Sequence, residues 1–145
     1  MVDLPVDRPE FRDLVCFNFY LGWRHIQAIY RTAFPPGVSP QRAYLLCACD
    51  PDRATPVSGL LDALEIDAPA MSGLLSRLEA EGLLDRRINP SDRREVLVQL
   101  TPAGTELRRQ ALQALEAADR ELARLIDPED LDRLRRIVSQ LGALV

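Results

Sequence analysis

At 145 residues the chain fits one domain, able to bury roughly two-thirds of its unfolded surface without a disulfide or metal staple. Its net charge of −4 excludes attraction of the whole molecule to a polyanion, so any nucleic-acid contact must be local. Cys16, Cys47 and Cys49 are odd in number and have neither CxxC nor zinc-type spacing, which excludes a disulfide framework and predicts free thiols. The longest apolar run, residues 14–23, is broken by Asn18 and is too short for a bilayer, and the acidic start MVDLPVDRPEF is unlike a signal peptide. A cytoplasmic chain without a membrane partner is expected.

In chain order, residues 10–34 contain no proline and predict one long first helix, ended by Pro35-Pro36-Gly37. Four helix starts follow from Ser39-Pro40, Thr55-Pro56, Thr101-Pro102 and Asp127-Pro128. In each pair a side-chain acceptor can cap the helix while the proline takes the first helical position, where a missing N–H costs nothing. A further helix fits residues 68–81, where Met71, Leu74, Leu75 and Leu78 recur with helical spacing and Gly82 supplies the stop. Six helices result.

Between Gly82 and Thr101 the period changes. Residues 95–100 alternate and are rich in branched side chains, residues 83–88 make a plausible partner, and Asn89-Pro90-Ser91-Asp92 is turn chemistry, so a β-hairpin is expected. Beyond it, Leu107, Ala111, Ala114, Ala118, Leu122 and Leu125 line one face of a helix of roughly 25 residues, well above the common length. The last helix is amphipathic through Leu131, Leu134, Ile137, Val138, Leu141 and Leu144. Apolar faces at both ends of the chain are most simply buried in a symmetric homodimer.

Two short helices followed by a hairpin have the order of a winged helix-turn-helix, in which the second helix enters the major groove. The outward face of that helix carries Pro69, Ser72, Gly73 and Ser76, with Arg77 beside it; small residues there permit close approach to DNA. The hairpin places Arg86 and Arg87 on one arm and Arg93 and Arg94 past the turn, in reach of phosphates and a narrow minor groove, with Asp92 positioned to orient the Arg94 guanidinium. A solvated helix face and a charge-balanced turn are the competing readings of these residues.

The stretch LLSRLEAEGLLDRRINPSDRREVLVQLTPAG resembles the multiple-antibiotic-resistance regulator (MarR) family. The family pattern is a helix ending in R-L-E-x-x-G-L, a basic strand, a D-x-R wing and a second strand closing on L-T-x-x-G. Here it is met by Arg77-Leu78-Glu79, Gly82-Leu83, Arg86-Arg87, Asp92-Arg93-Arg94 and Leu100-Thr101 with Gly104. The resemblance implies a mainly α fold with a small β-hairpin, of about six helices. It divides the chain into a winged helix-turn-helix DNA-binding region at residues 39–101 and a helical dimerisation region at 10–36 and 102–145. The implied role is that of a homodimeric transcriptional repressor on a palindromic double-stranded operator.

VCFNFY at 15–20 and LEIDAPAM at 64–71 are further similar to the organic-hydroperoxide-sensing branch of that family. That similarity implies a stress-response regulator in which Cys16 is oxidised and Tyr20 and Tyr30 stand near it. Residues 16, 20, 23, 27 and 30 do fall on one helical face, and phenol hydroxyls near a thiolate would favour sulfenic acid formation. A packed thiol in a dimer helix is the alternative. Where that branch carries a tyrosine at the start of the second helix, this chain reads Ser39-Pro40-Gln41, and no cysteine follows Cys49 to act as a resolving partner.

The aromatic group containing Phe19 and Trp23 is either plain packing or the wall of a pocket for a small phenolic or apolar effector. His25 has no ligand-type neighbours, so neither a metal nor a cofactor is expected. A glycine-rich phosphate loop, a nucleophile elbow and a triad histidine are missing, so an enzyme is not expected. The other class left open is a winged-helix interaction module that binds protein instead of DNA.

Overall fold

A computed structural model describes residues 12–145. Six helices and three short strands occur among them: α1 (Val15–Ala33), α2 (Pro40–Ala48), β1 (Thr55–Pro56), α3 (Val57–Leu64), α4 (Ala68–Ala80), β2 (Leu84–Asn89), β3 (Asp92–Leu100), α5 (Pro102–Ala123) and α6 (Pro128–Gly142). The mainly α architecture with a small antiparallel sheet is the one anticipated from the periodicities. The core lies in the middle of the chain, where Leu45 and Leu46 of α2, Leu60 of α3, Met71, Leu74, Leu75 and Leu78 of α4, and Leu84, Val98 and Leu100 of the hairpin form one buried cluster.

Three of the four expected serine, threonine or aspartate caps form. Ser39, Thr101 and Asp127 accept the backbone N–H of Arg42, Gly104 and Asp130, respectively. Asp67 caps α4 in the same way, accepting from Ala70 N at 2.7 Å. Thr55 does not cap a helix. Its hydroxyl accepts the N–H of Asp50 at 2.9 Å, and Thr55 and Pro56 pair antiparallel with Val98 and Leu97 as a third, edge strand, so the sheet order is β1-β3-β2. A proline is tolerated there because an edge strand need not offer every N–H to the ladder.

The first helix also departs from expectation. Glu10 lies outside the described residues, and a continuous helix from that point to Phe34 is interrupted at Asp13 and Leu14, where Leu14 is extended and α1 begins after it. Asn18 marks the break, its amide donating to the carbonyls of Arg12 at 2.7 Å and Leu14 at 2.9 Å. At the other end of the chain α5 stops at Ala123, so Leu125 lies beyond the expected apolar stripe and is 82% exposed. Ala111, Ala114 and Ala118 on that helix are buried, and their small side chains let α5 lie close against α1 and α2.

Two junctions hold the hairpin to the helices. Helix α4 ends with Gly82 in the left-handed region at φ 72°, Leu83 donating back to Leu78 O and Gly82 to Glu79 O, each at 2.9 Å. Across from it, Thr101 donates its hydroxyl to Gly82 O at 2.7 Å and its backbone N–H to Leu83 O at 3.1 Å. Gly104 packs so tightly here that a Cβ on it would lie 1.8 Å from Leu83 O. The residues Gly82-Leu83 and Thr101 with Gly104 are therefore a clasp between the end of α4 and the start of α5. Gly104→Ala is expected to lower stability by ~1–3 kcal/mol or more, because the obstacle is backbone and cannot rotate away. Urea unfolding followed by circular dichroism checks this; an unchanged midpoint would refute the clasp.

Candidate nucleic-acid interface

Helix α4 exposes Pro69, Ser72, Gly73, Ser76 and Arg77 while its Met71, Leu74, Leu75 and Leu78 stripe is buried, so the outward face is fixed by the core beneath it. Arg77 is held along its own helix, Nε donating to Gly73 O at 3.2 Å. The start of α2 is anchored to the far end of α4 by an ion pair between Arg42 and Glu81.

The four arginines of the hairpin divide into two kinds. Strand register pairs Leu84 with Leu100, Arg86 with Val98 and Ile88 with Val96, so Arg86 points to the same face of the sheet as the buried Leu84 and Val98. It is satisfied there by Glu79. Its Nε and Nη2 donate to Glu79 Oε2 at 3.0 and 2.6 Å, Nη2 also donates to Ser76 Oγ at 3.3 Å, and its backbone N–H donates to Glu79 Oε1 at 3.3 Å. Arg86, expected to reach for phosphate, instead ties β2 to the last turns of α4.

Arg87, Arg93 and Arg94 are different: all are exposed, and among the described residues none has a side-chain partner. Arg87 faces away from the core, paired in register with Leu97. Asp92 does not orient the Arg94 guanidinium; its Oδ1 accepts the backbone N–H of Arg94 at 3.0 Å, so it shapes the turn and leaves the guanidinium free. Asn89 completes the turn, Oδ1 accepting from Ser91 N at 2.9 Å.

The other sequence-selected residues lie along α1. Cys16 is exposed near its start, whereas Cys49 is buried and Cys47 partly so. Burial pushes both of these inner thiols up, Cys49 to about 11, against a smaller opposing pull from Arg108. Tyr20 stacks on Phe17 with ring centroids 5.9 Å apart and accepts from Arg24 at 3.3 Å. Tyr30 is buried, with its ring stacked on Phe34 at 4.6 Å and edge-on to Trp23 at 6.3 Å.

The Tyr30 hydroxyl is 2.6 Å from that of Tyr44 on α2, a pairing that sequence reasoning missed. Burial, followed by this hydrogen bond, raises the Tyr30 hydroxyl well above the ordinary phenol range. Within one chain Cys16 and Tyr30 are not brought together, since the residues between them span about 21 Å of helix. A cleft of about 430 Å3 opens beside Tyr30, lined by Gln27, Arg31 and Phe34 and by the Pro35–Pro40 connection; Phe19 and Trp23 lie outside it.

A buried-stripe helix with a small-residue outer face, followed by a projecting arginine hairpin, defines a winged helix-turn-helix protein. The MarR family model matches residues 38–96, the segment from the start of α2 into β3, so this part of the chain is similar to the MarR family. The HTH-type transcriptional repressor NicR of Pseudomonas putida is 30% identical over 84 residues, 58% of this chain. That match spans 53% of the relative, so the chain covers about half its length. The organic hydroperoxide resistance transcriptional regulator of Bacillus subtilis is 27% identical over 108 residues, 73% of each chain. A mutant MarR from E. coli, solved complexed with operator DNA, shares the fold with a TM-score of 0.72 at 21% identity, over 90% of this chain and 96% of that one.

The Glu79–Arg86 contact has a pH signature. Hydrogen bonding and charge from Arg86 hold the Glu79 carboxyl below its ordinary value of 4.5. Its contribution to stability is thus full above about 4.5 and is lost as pH falls through the depressed folded-state value. Thermal melts of the wild type and Glu79→Gln should differ at pH 7 and converge in strong acid. A difference unchanged down to pH ~3 would contradict the ion pair.

Proposed function

We propose that the chain is a DNA-binding transcriptional regulator, most simply a cytoplasmic repressor, that grips a palindromic double-stranded operator as a homodimer. The observation that carries this reading is the set of unpaired, exposed guanidiniums of Arg87, Arg93 and Arg94, standing beside the outward face of α4 in a chain whose net charge is −4. Exposed guanidiniums without an intramolecular partner cost little in water and stay available to an external anion, and a phosphate backbone is the anion that an arginine wing fits. The face formed by Pro69, Ser72, Gly73, Ser76 and Arg77 would enter the major groove, while Arg87, Arg93 and Arg94, on the turn shaped by Asp92, would reach backbone and minor groove. The operator complex of the E. coli relative is in keeping with this use of the fold.

Residues 39–101 would form the DNA-binding region, and the helices at 10–36 and 102–145 the dimerisation region. Dimerisation is supported by the apolar surface of α6, where Leu134, Ile137, Val138 and Leu141 are exposed, and by Val15, Phe19 and Tyr20 on α1. Two copies so joined would present two α4 helices to half-sites about one turn of B-DNA, ~34 Å, apart.

Release would follow from anything that changes that spacing. The cleft beside Tyr30 and Arg31 joins α1 to the start of α2, so a small phenolic or apolar effector lodged there would act on the link between the two regions. A second reading, oxidation by hydroperoxide, is favoured by the exposure of the Cys16 thiol and by the Bacillus relative. On that reading Tyr20 and the partner copy's aromatic residues, rather than Tyr30 of the same chain, would surround the sulfur.

Fluorescence anisotropy against duplex DNA from upstream of its own gene tests the proposal. Binding should weaken steeply with salt, and Arg94→Ala should cost ~1–3 kcal/mol per half-site and reduce the salt slope by about one contact. Indifference to DNA at ~50 mM salt would favour a protein-interaction module instead. Loss of binding on hydroperoxide treatment that Cys16→Ser prevents would support the oxidation route; loss that persists in Cys16→Ser would end it.

A further inference from the structure

Two serines face outward on α4, and among the described residues only Ser76 is touched by another side chain. The Nη2 of Arg86 donates to Ser76 Oγ at 3.3 Å while Glu79 fixes the same guanidinium at 2.6 and 3.0 Å. A guanidinium has donors and no acceptor, so in this contact the serine oxygen can only accept. One lone pair is thereby occupied and the hydroxyl proton is turned away from the cation. No acceptor among the described residues takes that proton, although a carbonyl one turn back is the usual partner of a helical serine.

The two directions of hydrogen bonding at Ser76 are therefore unequal. A base amino group offered to the remaining lone pair would approach a fixed positive charge. A base acceptor would meet a proton that the same charge makes a better donor. Ser72 has no such neighbour and is free to donate or accept, as an unconstrained hydroxyl does.

We infer that Ser76 reads DNA in one direction only, donating to the N7 of a guanine in each half-site, with Arg86 and Glu79 as positioning residues that set this polarity without touching DNA. Guanine is the base that places two acceptors, N7 and O6, side by side in the major groove; adenine sets an amino group beside its N7, and cytosine offers an amino group alone. The inference rests on the DNA-binding reading above.

The test starts from the duplex that wild-type full-length protein enriches from a randomised pool, with 7-deazaguanine then replacing each guanine in turn. At one guanine per half-site the replacement should weaken wild-type binding ~3–10-fold, the size of one hydrogen bond, and should have no effect on Ser76→Ala. Arg86→Met should enrich sites in which adenine or cytosine is accepted at that position, a change of preference that a merely structural role would not produce. If Arg86→Met does not fold, Ser76→Ala decides the matter, because Ser76 is exposed and its truncation leaves the core intact. An equal loss by Ser76→Ala on every duplex, as from a phosphate contact, or a 7-deazaguanine effect that persists in Ser76→Ala, would overturn the inference while leaving DNA binding in place. Failure of the wild type to bind any duplex would overturn both.

Discussion

A single carboxylate, Glu79, sets the relation between the two surfaces on which the proposed function depends. It lies near the end of α4, and through Arg86 it fixes the hairpin against that helix by side-chain and backbone hydrogen bonds. The need for it is written into the strand register. Alternation places Arg86 on the core side of β2, opposite the buried Val98, where a guanidinium without a partner would be costly. Glu79 resolves that conflict and leaves the pair partly exposed, with side chains 30% and 38% accessible for Arg86 and Glu79. At that exposure the contact contributes more to geometry than to stability.

The clasp of Gly82-Leu83 with Thr101 and Gly104 works on the same joint from the other side. It closes the hairpin at its base, where Thr101 bonds to both Gly82 and Leu83, while Glu79 braces it farther out. Between the two lie Leu84, Val98 and Leu100, packed into the cluster that also buries the inner stripe of α4. The outward face of α4 and the arms of the hairpin are thus backed by one packed cluster. Only the tip, where Asp92 and Asn89 shape the turn through backbone N–H groups, is left to its own local hydrogen bonds.

Much of this was legible in the sequence because it is local. Proline pairs with capping side chains announced the starts of α2, α5 and α6, the leucine spacing announced α4, and turn residues between alternating runs announced the hairpin. What escaped depends on partners distant in sequence. Thr55-Pro56 has the form of a helix cap, yet tertiary pairing with Val98 and Leu97 makes it a strand. Arg86 and Arg87 are indistinguishable in a basic run until the register turns one inward; Glu79, seven positions earlier, was visible but nothing local joined it to Arg86. Tyr44 gave no sign that its hydroxyl would meet that of Tyr30 across two helices.

Arg86 is held by Glu79 as a brace, and its neighbours Arg87, Arg93 and Arg94 are the groups proposed to meet phosphate. The salt dependence of DNA binding by Arg86→Gln separates these roles most directly, because each phosphate contact adds close to one unit to the slope of log K against log salt. A braced wing predicts weaker binding with the slope of the wild type. A slope that falls by about one per protomer would mean that Arg86 leaves Glu79 to grip the backbone itself, and would contradict the account.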